Sequence, residues 1–341
     1  MIQNGADPQA QATAASALQR GELLGLPTET VYGLAADAGN DHAVAKIFAA
    51  KGRPSDHPLI VHVANAQGVA HFAREVPDFA AKLIAAFWPG PLTLILPRRP
   101  GVAAAAAGGQ DSVGLRCPSH PVAQAVLQQA QALGVLGVAA PSANAFGRVS
   151  PTTAAHVASE FGANLQVLDG GACAVGIEST IIDCTRGVPV LLRPGVLTTQ
   201  ALSAACGQEV QLSAALQGQL DPQAPRASGT LAAHYAPRAH VRLIDAQDMA
   251  AQLQAWSNTA TAPARLAVWT RTPVVVPTAL APRVQQHAMP ADAAACAHDL
   301  FAQLRAFDDQ GVAEIWVQSP PAEPAWEGVR DRLRRAATLV R

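Results

Sequence analysis

The feature that most constrains this chain is an alternation, sustained along 341 residues, of short apolar runs with stretches of helical period. Leu23-Leu24-Gly25-Leu26 reads as a strand stopped by Pro27, and residues 41–51 read as a helix with Val44, Ile47 and Phe48 on one stripe. Leu59-Ile60-Val61-His62-Val63 is β-branched and strand-like, and residues 92–96 and 113–116 are further strands. Residues 77–88, 121–132 and 152–161 carry helical period, the last with Ser150 or Thr152 as its cap. Residues 135–140, cut off by Pro141, predict a buried strand; residues 165–168, 179–183 and 188–192 complete a strand-rich end. Strands interleaved with helices in this way imply an α/β domain on one twisted, open sheet.

The pattern lapses after residue 206. Residues 207–237 hold Pro222, Pro225, Ser228, Gly229 and Pro237 with no sustained period and read as a linker. A second alternation follows, with strands at 241–244, 265–269, 274–276 and 313–318 and helices at 246–256, 291–308 and 325–339. It predicts a smaller, doubly wound, Rossmann-like α/β domain without a dinucleotide fingerprint. The expected organisation is a first domain over 10–206, a linker or lid over 207–237 and a second domain over 238–341. At roughly 150 residues per domain the length agrees. The alanine run 103–107 beside Gly108-Gly109 reads as a loop or short helix, and no internal repeat is found.

Hydrophobic residues are 50% of the chain and charged residues 14%, against about 25% charged in an average globular protein, so the core is large and disorder is excluded for most of the length. No apolar run approaches the roughly 18 residues of a membrane span, and residues 1–20 lack the basic start and apolar core of a secretory signal. With 24 Lys+Arg against 25 Asp+Glu, a polycation that coats nucleic acid is excluded, but a local basic cleft is not. Cys117, Cys173, Cys184, Cys206 and Cys296 are scattered and form no Cys-x-x-Cys pair, which points to neither a disulfide framework nor a zinc cluster and suits a reducing cytoplasm. The phosphate-binding glycine loop, the dinucleotide loop, the Gly-x-Ser-x-Gly elbow and His-Glu-x-x-His are all missing.

What remains is a set of polar residues at the ends of apolar strands, where open α/β sheets bind ligands. Pro27 to Leu34 taken alone is a strand-to-helix turn. Lys51 and Arg53 lie just past a helix, where cations suit its negative end as well as they would suit a polyphosphate. His62 falls in mid-strand, where a packed, hydrogen-bonded histidine is the commoner case. Ser112 and Arg116 share one face of one strand, and an arginine facing into a sheet domain needs an anionic partner. Ser142 and Asn144 follow Pro141 as ordinary turn residues; Arg148, Ser150, Ser179 and Arg193 lie further on. Together, Lys51, Arg53, Arg116 and Arg193 put four cations at element ends of one domain, a site for an anion with many acceptor oxygens. Aspartates are too sparse there for a protein metal cage.

In this order, the segments 27–34, 51–63, 88–93, 113–118, 140–144, 179–183 and 193–195 resemble the threonylcarbamoyl-AMP synthase family, whose catalytic domain is YrdC-like. They cover most of residues 14–200, and Lys51/Arg53 combined with Ser142/Asn144 is the specific part. His234-Tyr235-Ala236-Pro237 is similar to the closing motif of the family's linker and marks the long, two-domain form. The resemblance implies an L-threonylcarbamoyladenylate synthase, a nucleotidyltransferase that converts L-threonine, bicarbonate and ATP to threonylcarbamoyl-AMP and pyrophosphate. It implies magnesium arriving with the ATP, no resident metal and a cytoplasmic location. The product would be handed to threonylcarbamoyl-transferase machinery for N6-threonylcarbamoyladenosine at position 37 of tRNA, with tRNA as a further binding partner. Such chemistry brings a carbamate anion to an anionic phosphate, so positioning and positive charge should carry most of the catalysis, and excluding water should protect the carbamate.

Carried over position by position, the resemblance implies that Thr30, His62, Arg116 and Ser179 hold threonine, with Arg116 on its carboxylate. Lys51 and Arg53 would contact the ATP phosphates; Ser112, Ser142, Asn144, Ser150 and Arg193 would complete the nucleotide side, and Tyr235 would reach in from the linker. Lys51, Arg53 and Arg116 are the expected catalytic residues. His57, where the family often has Asn, is placed with the nucleotide side, and the linker reads Ala227-Ser228-Gly229-Thr230 where relatives often carry Pro-Gly-Met. Rival readings are a non-catalytic RNA-binding module, a carbamoyl-transfer domain like that of hydrogenase maturation proteins, and an interaction scaffold. The low aromatic fraction, 4%, argues against the first, and the missing Cys-x-x-Cys against the second.

Overall fold

The computed structural model describes residues 1–221, 223–259 and 265–338; Pro222 of the linker and Leu339, the expected end of the last helix, lie outside the described residues. The chain divides into two compact units, Met1–Phe146 with Ser150–Thr230, and Gly147–Val149 with Leu231–Arg341.

The first unit is built on an eleven-stranded mixed sheet. In chain order the strands are β1 (Ile2–Asn4), β2 (Leu24–Leu26), β3 (Gly33–Asp37), β4 (Ile60–His62), β5 (Leu92–Pro97), β6 (Ser112–Arg116), β7 (Val138–Ala139), β8 (Gln166–Asp169), β9 (Thr180–Asp183), β10 (Val190–Arg193) and β11 (Gln211–Leu212). In space they run β1-β8-β2-β3-β7-β4-β6-β5-β9-β10-β11. The helix α1 (Pro8–Gln19) and the helix Pro121–Ala132 contribute Ala10, Ala14, Leu18, Val122 and Val126 to one core cluster. The helix α2 (Asp41–Lys51) sends the expected Val44, Ile47 and Phe48 stripe into another, with Leu34, Val61 and Leu115. The central strands are largely buried, β9 and β10 along their whole length, hence the apolar runs of strands such as β5 and β10.

Several expectations change. The segment 27–34 is not a strand-to-helix turn: β2 pairs antiparallel with β3, Leu26 opposite Gly33, so it joins two strands. The expected strand 135–140 is confined to Val138–Ala139. Of the two readings of the alanine run 103–107, loop or short helix, the loop is found: the run lies in a turn, and Ala106 takes the amide of Leu59 into its carbonyl. The strand β1 and the helix α1 were not expected; the stripe of α1 is mostly alanine, too weak in hydrophobicity to stand out.

The second unit has a parallel four-stranded sheet, β12 (His240–Ile244), β13 (Leu266–Thr270), β14 (Val284–Ala288) and β15 (Glu314–Gln318), in the order β12-β15-β13-β14. The helices Met249–Thr259, Ala293–Asp309 and Glu327–Ala337 lie between and after the strands. Residues 274–276 form no strand; Pro273 and Pro277 flank them, and the fourth ladder partner is β14 instead. Within this unit Asp308 accepts the amides of Arg238 and Ala239 and pairs with Arg148 at 3.4 Å. Tyr235 is buried at a positive φ of 61°, its ring 5.4 Å from that of Phe301, with the Arg332 guanidinium over it. All five cysteines are buried and free. Among the described residues no helix is long and apolar enough to cross a membrane.

Candidate active site

Parallel pairing of β4 with β6 sets His62 directly opposite Arg116. Both side chains are buried. The Arg116 fork reaches three groups: Nη1 donates to Thr30 Oγ1 at 2.8 Å, Nε donates to the Gly90 carbonyl at 3.3 Å, and Nη2 forms an ion pair with Glu29 Oε1 at 2.8 Å. The anionic partner that a buried arginine needs is therefore Glu29, from the turn between β2 and β3. That turn is braced by Thr28, whose hydroxyl sits 2.9 Å from that of Thr30 and donates to the Val31 carbonyl. Burial alone would raise the Glu29 carboxyl; the Arg116 charge, with its close contact and the nearby amides of Glu29 and Ser119, outweighs it, and Glu29 stays below its usual range. His62 is pushed down to about 3 by burial first and by the Arg116 charge second, so its imidazole is neutral.

The bridge between Gly33 and Ser142 ties the turn 27–34 to the segment 141–144, with Ala143 N donating to Tyr32 O and Leu34 N to Pro141 O. On that segment lands Lys51, the last residue of α2. Gly52 ends this helix in the left-handed region, φ 60°, which lets the chain reverse directly after the lysine. The Lys51 ammonium donates to the carbonyls of Ser142 at 2.6 Å and Asn144 at 2.5 Å. Burial and the neighbouring Arg53 charge push it down to about 7. Arg53 donates to Pro58 O at 2.9 Å and stacks near Phe146, whose ring also meets His57 edge-on at 5.5 Å. His57 is half-buried and held below its usual range by that burial and by Arg53. Ser150 donates to the buried Glu178 at 2.5 Å.

A third group sits where β9 begins. Ser179 shares a 2.8 Å hydrogen bond with Thr93, and its carbonyl accepts Nε and Nη2 of Arg193 at 3.1 and 2.9 Å. Nη1 of Arg193 donates to the carbonyl of Ser228, whose hydroxyl lies 3.4 Å from Arg53 Nη2. Gly195 is required here: a Cβ would stand 2.5 Å from Thr180 Oγ1 and 2.6 Å from Thr180 N. Ser112 lines a small cleft with Thr93, Gly114 and Ser228.

The groups form one connected set. Gly90 and Pro91 join the first to the third, Gly90 through Arg116 and Pro91 through the Thr180 amide, and Ser228 joins Arg53 to Arg193. Thr30, His62, Arg116, Lys51, Arg53, His57, Ser112, Ser142, Asn144, Ser150, Ser179 and Arg193 all lie in the first unit; Tyr235 belongs to the second. The sequence reading did not pick out Glu29, Thr93 or Glu178. For Glu29 a signal was available: a carboxylate in a Thr-Glu-Thr turn ahead of an arginine that had to be neutralised. Arranged this way, cations, hydroxyls and amides line a largely dry surface with one buried carboxylate–guanidinium pair, Glu29–Arg116, suited to orienting anions and an amino acid rather than to base-driven hydrolysis.

Comparisons with known proteins point to one family. The Sua5/YciO/YrdC family model, described as telomere recombination, matches residues 16–195, and one described as the C-terminal domain of threonylcarbamoyl-AMP synthase matches residues 197–338. The threonylcarbamoyl-AMP synthase of Bacillus subtilis is 37% identical over 335 residues, spanning 97% of this chain and 93% of that protein. That of Pyrococcus abyssi is 43% identical over 233 residues, 68% of this chain and 67% of that protein. Among solved structures, P. abyssi Sua5 complexed with L-threonine superposes with a TM-score of 0.88 at 33% identity, covering 99% of this chain and 96% of that one. With both domains matched in sequence and in fold, this chain belongs to the threonylcarbamoyl-AMP synthase family.

Proposed function

We propose that the chain condenses L-threonine, bicarbonate and ATP to threonylcarbamoyl-AMP and pyrophosphate. The observation that supports this reading most is the junction of two motif groups in one unit: Arg116, Thr30 and His62 on one side, Lys51 on the carbonyls of Ser142 and Asn144 on the other. Threonine would lie against Thr30, His62, Arg116 and Ser179, with its carboxylate on free N–H groups of Arg116. The nucleotide would lie along Lys51, Arg53, His57, Ser112, Ser142, Asn144, Ser150 and Arg193.

The amine of threonine and bicarbonate combine to a carbamate with loss of water. A carbamate oxygen then forms a bond to the α-phosphorus while the bond from that phosphorus to the β-bridging oxygen breaks, and pyrophosphate leaves with the electron pair. The attacking and attacked groups are both negative, so Arg53, Arg193 and the Lys51 ammonium serve by lowering repulsion and fixing the line of attack. The neutral His62 adds polarity without adding a competing charge. A divalent ion, magnesium by the family's chemistry, is expected with the triphosphate. Among the described residues no group of three His, Cys, Asp or Glu is disposed to hold a metal, so the phosphates and water would supply its ligands. Cytoplasmic location, hand-over of the adenylate for modification of tRNA adenosine 37, and tRNA contact complete the proposal.

The test is incubation with ATP, L-threonine and labelled bicarbonate. Label should enter an adenylate only when threonine is present, with one pyrophosphate released per label. Threonine-independent labelling, or none, would overturn the reading.

A further inference from the structure

We infer that Glu29 is the seat of the threonine α-ammonium and makes the amino-acid side of the site selective for zwitterions. The inference rests on the threonine site proposed above. Glu29 is 7% exposed, and its carboxylate lies 2.8 Å from Arg116 Nη2. The contacts are close but poorly aligned: Arg116 and the amides of Glu29 and Ser119 approach the carboxylate, yet among the described residues neither Glu29 oxygen nor Arg116 Nη2 has a partner in well-directed hydrogen-bond geometry. The other buried carboxylates of the first unit are engaged, Glu178 by Ser150 and Asp183 by Thr185 and Arg186. Glu29 is thus a dry charge with spare acceptor capacity, beside the arginine assigned to a carboxylate, and spare capacity in a dry site is costly unless a ligand uses it.

The charges complete the argument. The neutral His62 leaves Arg116 and Glu29 as the charged pair at this point of the sheet. An α-amino acid carries the same pair in mirrored order, carboxylate for Arg116 and ammonium for Glu29, so the ensemble is neutral before and after binding. A hydroxy acid or dicarboxylate would set an unmatched negative charge against Glu29. Selection therefore works by repulsion as well as attraction.

The test compares L-threonine with 3-hydroxybutyrate, which lacks the amine, by calorimetric titration of the full chain and of Glu29→Gln, with thermal unfolding as a control. Glu29→Gln should weaken threonine about tenfold or more. The same change should leave 3-hydroxybutyrate unchanged or bound more tightly. An equal loss for both ligands would overturn the inference, showing that Glu29 acts only by holding Arg116, and would leave the threonine site standing. Arg116→Ala that binds threonine normally would instead sink the site itself. Should Glu29→Gln not fold, the native chain still decides: 3-hydroxybutyrate binding as tightly as threonine would overturn the inference.

Discussion

The ammonium nitrogen of Lys51 lies 2.6 Å from the carbonyl oxygen of Ser142, across a sequence separation of 91 residues. The two most specific motif pairs of the chain, Lys51/Arg53 and Ser142/Asn144, are therefore one structural object. The lysine shapes the loop that would face the nucleotide as well as adding charge to it.

Lys51→Met keeps the length of the stem and removes the donors. It leaves the carbonyls of Ser142 and Asn144 buried without their partner, each a loss of roughly 1–3 kcal/mol. Thermal unfolding should fall to lower temperature, and kcat/KM for ATP should drop at least tenfold while threonine affinity changes less. Equal loss on both substrates would show that the loop does not belong to the nucleotide side.

Arg116 and Glu29 should behave as a single electrostatic unit. Breaking a buried ion pair from one side costs roughly 3–5 kcal/mol, largely because a charge is stranded. Arg116→Ala should thus destabilise more than the double variant Arg116→Ala/Glu29→Gln, and neither should release pyrophosphate in response to threonine. Urea unfolding of the two proteins decides the order; a double variant no more stable than the single one would show that the charges are not coupled.

Much of this was legible because buried strands of the sheet read as nearly continuous apolar runs, as 92–96 and 190–192 do. The site was legible only residue by residue. His62 and Arg116 were each visible, but their register is set by strands far apart in the chain. β14 was missed because Val284-Gln285-Gln286-His287-Ala288 is polar on its outer face, as an edge strand is, while the more apolar 274–276 is fenced by prolines that cannot join a central ladder. Glu29 was missed because turn residues explain themselves locally and give no sign of a partner on β6.

His62 makes the folding stability depend on pH. In the unfolded chain a histidine titrates near 6.5, and in the fold burial and Arg116 push it down to about 3. Between these values the unfolded state binds a proton that the folded state refuses. The His62 contribution to stability is therefore complete above about pH 6.5 and is lost progressively as the pH falls toward 3. Denaturation midpoints over this range should decline less steeply for His62→Gln, which cannot titrate. Threonine affinity of the native chain should show no step assignable to His62 between about pH 6 and 9.

Arg193→Lys tests whether geometry or charge matters at the third group. The guanidinium spans the Ser179 carbonyl with Nε and Nη2 and the Ser228 carbonyl with Nη1, a fork that one ammonium cannot reproduce. The positive charge survives the change, but Ser179 loses a paired donor and the segment 227–229 loses its anchor. Turnover should fall about tenfold to a hundredfold, by the loss of one or two charge-assisted hydrogen bonds. Because Ser228 is also in reach of Arg53, the KM for ATP should rise along with the fall in kcat, and raising the ATP concentration should restore only part of the rate. Full rate at saturating ATP would mean that Arg193 supplies charge alone.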